Sequence, residues 1–168
     1  MGFMLKSKMI SAAFFTASAA SYGTLPTLTL NGNLLPCISH NVHVALGRGL
    51  PDILQRDVTS EREKFAQSCG SVAIPIDRFS KADNVIYACS GYPMAASTAG
   101  GAGAQIMVVP QAEAQTYAGL ERSFFQQYRI NHGDQFRVAL LYPGIRIKTL
   151  MTTKLVSPSA PGQVTKCR

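Results

Sequence analysis

Residues 136–151 read Phe-Arg-Val-Ala-Leu-Leu-Tyr-Pro-Gly-Ile-Arg-Ile-Lys-Thr-Leu-Met. Two apolar runs meet at Pro143-Gly144. Proline presets φ for the second position of a β-turn, and glycine tolerates the positive φ that a type II turn needs at the third. Before the turn, Phe136, Val138 and Leu140 alternate with Arg137 and Ala139; after it, Ile145 and Ile147 alternate with Arg146 and Lys148. Alternation of period two about a turn predicts a β-hairpin with one buried and one basic face. Arg137, Arg146 and Lys148 then share a cationic strip, with Tyr142 at its end as a stacking ring. A solvated outer face explains the same pattern about as well.

Both ends of the chain carry further constraints. Lys6 and Lys8 precede a short apolar run over 9–15, and Ala17, Ser18, Ala19 and Ala20 follow. That order predicts a secretory signal peptide over residues 1–20. The run is shorter than the ~20 residues a bilayer demands, so no membrane association is expected. The remainder divides into an N-terminal arm, 21–36, and one domain, 37–168, large enough for its own core and expected to be a monomer. The formal charge is +7 over 168 residues. From residue 121 onward the only acids are Glu121 and Asp134, so the basic excess is concentrated there. Such a surface favours polyanions.

Four cysteines, Cys37, Cys69, Cys89 and Cys167, lie beyond the predicted cleavage point. An even count in an exported chain points to two disulfides, and four cysteines allow three pairings. Cys37 and Cys167 frame the domain, while Cys69 and Cys89 flank a predicted strand; Cys37–Cys167 with Cys69–Cys89 is the pairing expected. No CxxC pair occurs and the histidines lack zinc spacing, so neither a metal nor another cofactor is expected.

Between these landmarks, Leu25, Leu28 and Leu30 alternate as a short edge strand would. Ser39 stands as a helix N-cap before Val42, Ala45, Leu46 and Leu50, and the helix is read as continuing, broken near Pro51, to Lys64. Short strands are predicted over 72–76, 84–89 and 105–109, and a last one over 163–167. Residues 97–103 are a glycine-rich loop without the GK[ST] ending of a phosphate loop. Residues 111–133 read as a helical insertion or a long loop.

Leu35-Pro36-Cys37 with the helix after it resembles the N-terminal cysteine and helix of the fungal guanyl-specific ribonucleases. Phe136-Arg137-Val138-Ala139, the stretch 147–153 and Val164-Thr165-Lys166-Cys167 resemble later strands of that family. The likeness covers about 60 residues in patches. It is closer still to the non-catalytic, ribonuclease-like secreted effectors of plant-pathogenic fungi. It implies an α+β fold in which one N-terminal α-helix packs on a four- or five-stranded antiparallel sheet.

The chemistry of that family then frames the function. Cleavage through the 2′-hydroxyl needs a base, an acid and a cation for the phosphorane. Arg137 matches the cation as a remnant. Thr152 and Thr153 stand where the family has its histidine, and the strand over 105–109 carries no carboxylate. The reading implied is a secreted, non-catalytic protein, delivered into host cells as an effector, that binds RNA or a host protein. One alternative is an active endoribonuclease using His132, or His40 and His43, with Glu113 or Asp134 and Arg137. Another is an inhibitor or interaction module with no nucleic-acid role.

Overall fold

The computed structural model describes residues 24–70, 76, 79–82, 84–141 and 165–167. The predicted signal segment, residues 72–75 of a predicted strand and the second arm of the hairpin, with Tyr142, Arg146 and Lys148, lie outside these residues.

The chain opens with β1, Thr27–Asn31, whose Leu28 and Leu30 are buried and whose Thr27 and Thr29 face out. Helix α1, Pro36–Gly47, begins on a proline, which suits a first turn where an N–H has no intrahelical partner. Ser39 lies inside this helix and is buried; Leu35 holds the N-cap position. Gly47 and the positive φ of Gly49, 86°, end α1. The helix therefore does not run on to Lys64. Ile53–Gln55 forms β2, and a separate helix, α2, spans Glu61–Cys69.

Next come β3, Tyr87–Tyr92, and β4, Gln105–Pro110, paired antiparallel. Pro110 closes β4 and starts helix α3, Gln111–Gln127, which settles the 111–133 stretch as mainly helix. β5, Gln135–Leu141, buries Phe136 and Val138 and exposes Gln135 and Arg137, the alternation its sequence predicts. β6 is Thr165–Lys166.

These strands make two three-stranded sheets, ordered β1-β5-β2 and β3-β4-β6. β1 with β5 and β4 with β6 are parallel pairs. The general α+β class holds. The single four- or five-stranded antiparallel sheet does not, because the chain returns to each sheet from a distance and closes it with a parallel strand.

One core joins the two sheets. Phe136 is fully buried, and its ring meets Phe124 at 5.8 Å and Phe125 at 5.3 Å, edge-on to both. Such pairs add roughly 0.5–1.5 kcal/mol each beyond their buried area. α1 is tied to the second sheet by Asn41 Nδ2, which donates to the Gln105 carbonyl at 3.1 Å and, at 3.4 Å, to that of Ser90. Disulfides join Cys37 to Cys167 and Cys69 to Cys89. Their sequence separations are 130 and 20. Restricting the unfolded chain over such loops stabilises by ~5 and ~3 kcal/mol in the chain-entropy account.

Phe136→Ala is expected to lower unfolding free energy by about 3–5 kcal/mol, since it leaves a cavity between α3 and the first sheet. Leu141→Ala, at the exposed end of the same strand, should change it by no more than about 0.5 kcal/mol. Denaturant titration of the disulfide-intact protein checks both, and equal losses would contradict this account of the core.

Candidate functional site

Asp57 follows β2 and is 6% exposed. Its Oδ1 accepts from the Thr59 N–H and the Thr59 hydroxyl, both at 2.8 Å. Its Oδ2 accepts from the Ser60 hydroxyl at 2.6 Å and Lys64 Nζ at 2.5 Å. Aspartate followed by Thr and Ser forms a local turn of this kind because a short carboxylate reaches the N–H groups two and three residues on. Lys64 first, then Ser60 and Thr59, hold the Asp57 carboxyl well below the usual carboxylate range, against the opposing effect of burial. Lys64 Nζ also donates to the Ser97 carbonyl at 2.7 Å, and the Asp57 N–H to the Ala96 carbonyl at 2.9 Å. The 94–101 loop is thereby fastened to the start of α2. Gly100 is required in that loop, because a Cβ there would collide with the Met94 carbonyl. On the open side, His132 Nδ1 stands 3.6 Å from Asp57 Oδ1.

Beside this hub lies a groove of about 700 Å³ between residues 56–61 and α3. Arg56, Glu61, Glu121, Arg122, Phe125 and Arg129 line it. Arg122 stands on α3, while Arg129, with a positive φ of 52°, follows the end of that helix. Arg56 lies over the Phe125 ring, its guanidinium carbon 4.1 Å from the centroid. It donates to the Ala96 carbonyl at 3.0 Å and, at 3.4 Å, to Glu61. Burial first, and the Glu61 charge second, push the Glu121 carboxyl up to about 7, with Arg56 pulling the other way. Glu121 Oε1 and Arg56 Nε are both shielded from solvent and have no hydrogen-bond partner among the described residues.

The residues singled out in the sequence are scattered. Arg137 is half-exposed on β5 and pairs with Asp52 at 3.4 Å. Glu113 supports the fold instead of the groove, because its Oε1 accepts from the Ile38 N–H at 2.8 Å and so caps α1. Burial raises its carboxyl, and the Ile38 and Cys37 N–H groups counter this. His40 and His43 lie on α1. Asp134 accepts from the Asn131 N–H within its own turn. Of those residues only His132 reaches the Asp57 hub. Reading 52–64 as one helix hides Arg56, Asp57 and Glu61, and reading 111–133 as an insertion hides Glu121. One sequence signal does point to Glu121: it stands four residues after Tyr117 and four before Phe125, a carboxylate in an apolar row.

No group of three His, Cys, Asp or Glu side chains placed to hold a metal ion occurs among the described residues. No helix among them is long and apolar enough to cross a membrane.

A carboxyl held below its ordinary range contributes stability above the unfolded value and loses it as pH falls. Asp57→Asn is therefore expected to melt lower than wild type at pH 7, and the gap should narrow once the pH drops below about 4. Melting curves at pH 7, 5 and 3 test this; a gap of constant size would mean that the Asp57 charge is not what the hub uses.

No curated protein matches the chain. The family model of the deoxyribonuclease NucA/NucB family matches residues 42–139, a span running from within α1 to within β5. This overturns the resemblance to the guanyl-specific ribonucleases and their non-catalytic relatives, and with it the reading of a non-catalytic effector. The absence of a histidine and a glutamate at that family's strand positions argues against catalysis only for a chain with that fold, and this chain has another. The match takes in the hub, the groove and the strand–strand–helix unit β3-β4-α3, and with more than half of its length inside that one model the chain belongs to the deoxyribonuclease NucA/NucB family.

Proposed function

We propose that the protein is an exported nuclease that cleaves DNA in the groove between residues 56–61 and α3. The observation that carries this reading is a carboxyl at about 7, Glu121, in a groove that three arginines line. Arginines bind phosphate oxygens through paired N–H groups, and a basic groove attracts a polyanion from a distance. A carboxyl near neutrality is suited to proton transfer at physiological pH. The family description supports DNA as the substrate. The two disulfides support export, since such bridges form and persist in oxidising compartments.

In hydrolysis the water oxygen bonds to phosphorus, the P–O ester bond breaks, and the leaving oxygen takes a proton. Glu121 in its protonated form supplies that proton, the attacking water releases one of its own to solvent, and the Glu121 carboxylate takes a proton back from solvent before the next turnover. An incoming phosphate adds negative charge beside it and favours the protonated form further. Arg56, Arg122 and Arg129 hold the phosphate and offset the charge that builds on its oxygens. The described residues do not form a three-ligand metal set, so no step is assigned to a metal ion here.

Duplex DNA, single-stranded DNA and RNA are to be incubated with the disulfide-intact protein, each with and without added magnesium or manganese. DNA should be degraded, at a rate that declines as pH rises above about 7. Glu121→Gln should reduce the rate by at least about 100-fold. No cleavage in any arm, or an unimpaired Glu121→Gln protein, would overturn the proposal. Faster cleavage of RNA than of DNA would keep the groove and change its substrate.

A further inference from the structure

The contacts of Arg56 are unequal. Its guanidinium rests on Phe125 and donates to the Ala96 carbonyl at 3.0 Å, both fixed parts of the fold. Its bond to Glu61 is long, 3.4 Å, and the two side chains differ in exposure, 14% for Arg56 and 50% for Glu61. Arg56 Nε is shielded from solvent and has no partner among the described residues, so an anion entering the groove meets the terminal nitrogens of the guanidinium. A guanidinium has five N–H donors in a planar fork that matches an oxyanion. Here that fork is preorganised by the ring and the carbonyl, while the only carboxylate bonded to it among the described residues is exposed and weakly attached.

We propose that Arg56 is the seat of one phosphate group and that Glu61 is its placeholder, an intramolecular anion displaced when a phosphate enters. This rests on the groove as the place where nucleic acid binds, and it adds a residue that regulates access to it. In the free protein Glu61 satisfies part of the Arg56 fork. A phosphate satisfies more of it, because several oxygens replace one long contact. Glu61 belongs to the first turn of α2, so its backbone stays in place while its exposed side chain turns to solvent. The other charges facing this point are Glu121, Arg122 and Arg129 on the α3 side of the groove. The ligand is a phosphate oxyanion, whether free or within a nucleic-acid backbone.

Glu61→Ala tests the idea, because removing the placeholder should tighten anion binding. Sulfate is the first probe, since its charge does not change across neutral pH; inorganic phosphate and a short single-stranded DNA follow. Binding is read by shifts of the Arg56 side-chain N–H resonance and by calorimetry. Glu61→Ala should bind each anion about two- to fivefold more tightly, the range set by the strength of an exposed ion pair. Glu63→Ala is the control, because Glu63 shares the first turn of α2 and removes the same charge. It should leave sulfate affinity unchanged. Arg56→Lys, which retains the charge and loses the fork, should weaken all three ligands. Tightening for DNA with none for sulfate would assign the site to the backbone of a strand rather than to free anions. Equal effects of Glu61→Ala and Glu63→Ala, or no shift of the Arg56 resonance on saturation, would overturn the proposal. Since these readouts do not involve turnover, a protein that cleaves DNA yet fails them would refute the placeholder alone.

Discussion

The Asp57 carboxylate is the contact on which the arrangement of this molecule depends. A buried charge is costly to leave unpaired, and Asp57 answers that cost with Lys64, two hydroxyls and the Thr59 N–H. In doing so it joins three pieces that are separate in sequence: the end of β2, the first turns of α2, and the 94–101 loop. Arg56, the neighbouring residue, is thereby set against the Ala96 carbonyl and the Phe125 ring. The hub thereby fixes residues that line one side of the groove, with α3 on the other.

A second set of long-range contacts supports the first. α1 starts without a side-chain cap of its own, and Glu113, 75 residues later, accepts its first N–H groups. The same carboxylate sits in the first turn of α3, where negative charge suits the helix dipole. Glu113 thus links the two helices that flank β3 and β4, and it is unavailable for proton transfer in the groove. Glu121, two turns further along α3, has no such cap to serve and is left with burial and a neighbouring acid, which set its affinity for a proton. Two glutamates on one helix differ because of what packs against them.

Much of the secondary structure is legible from local pattern. Alternation in Phe136, Arg137 and Val138 marks β5, and the apolar stretch before Pro110 marks β4. Where local pattern fails, the cause is competition between elements of similar propensity. Ile53 and Leu54 fit a helix continuing from α1, yet Leu54 becomes a buried strand position because β5 offers open backbone groups opposite it. The resemblance to the ribonucleases fails for a related reason. Short matches around a cysteine, an arginine strand and a terminal strand carry no information about which strands pair, and here parallel pairing splits them into two sheets.

By itself, then, the sequence determined the mixture of helical and strand stretches, the even set of cysteines, the basic balance and the alternating face of β5. Each of these follows from residue identity and near-neighbour spacing, which act within a few residues. The tertiary structure alone decided the site. Arg56, Glu61 and Glu121 are separated by up to 65 positions, and none has a motif of its own. Proton affinity and phosphate recognition depend on burial and on charges within a few ångströms, and those distances arise only when α2 and α3 pack on either side of the groove.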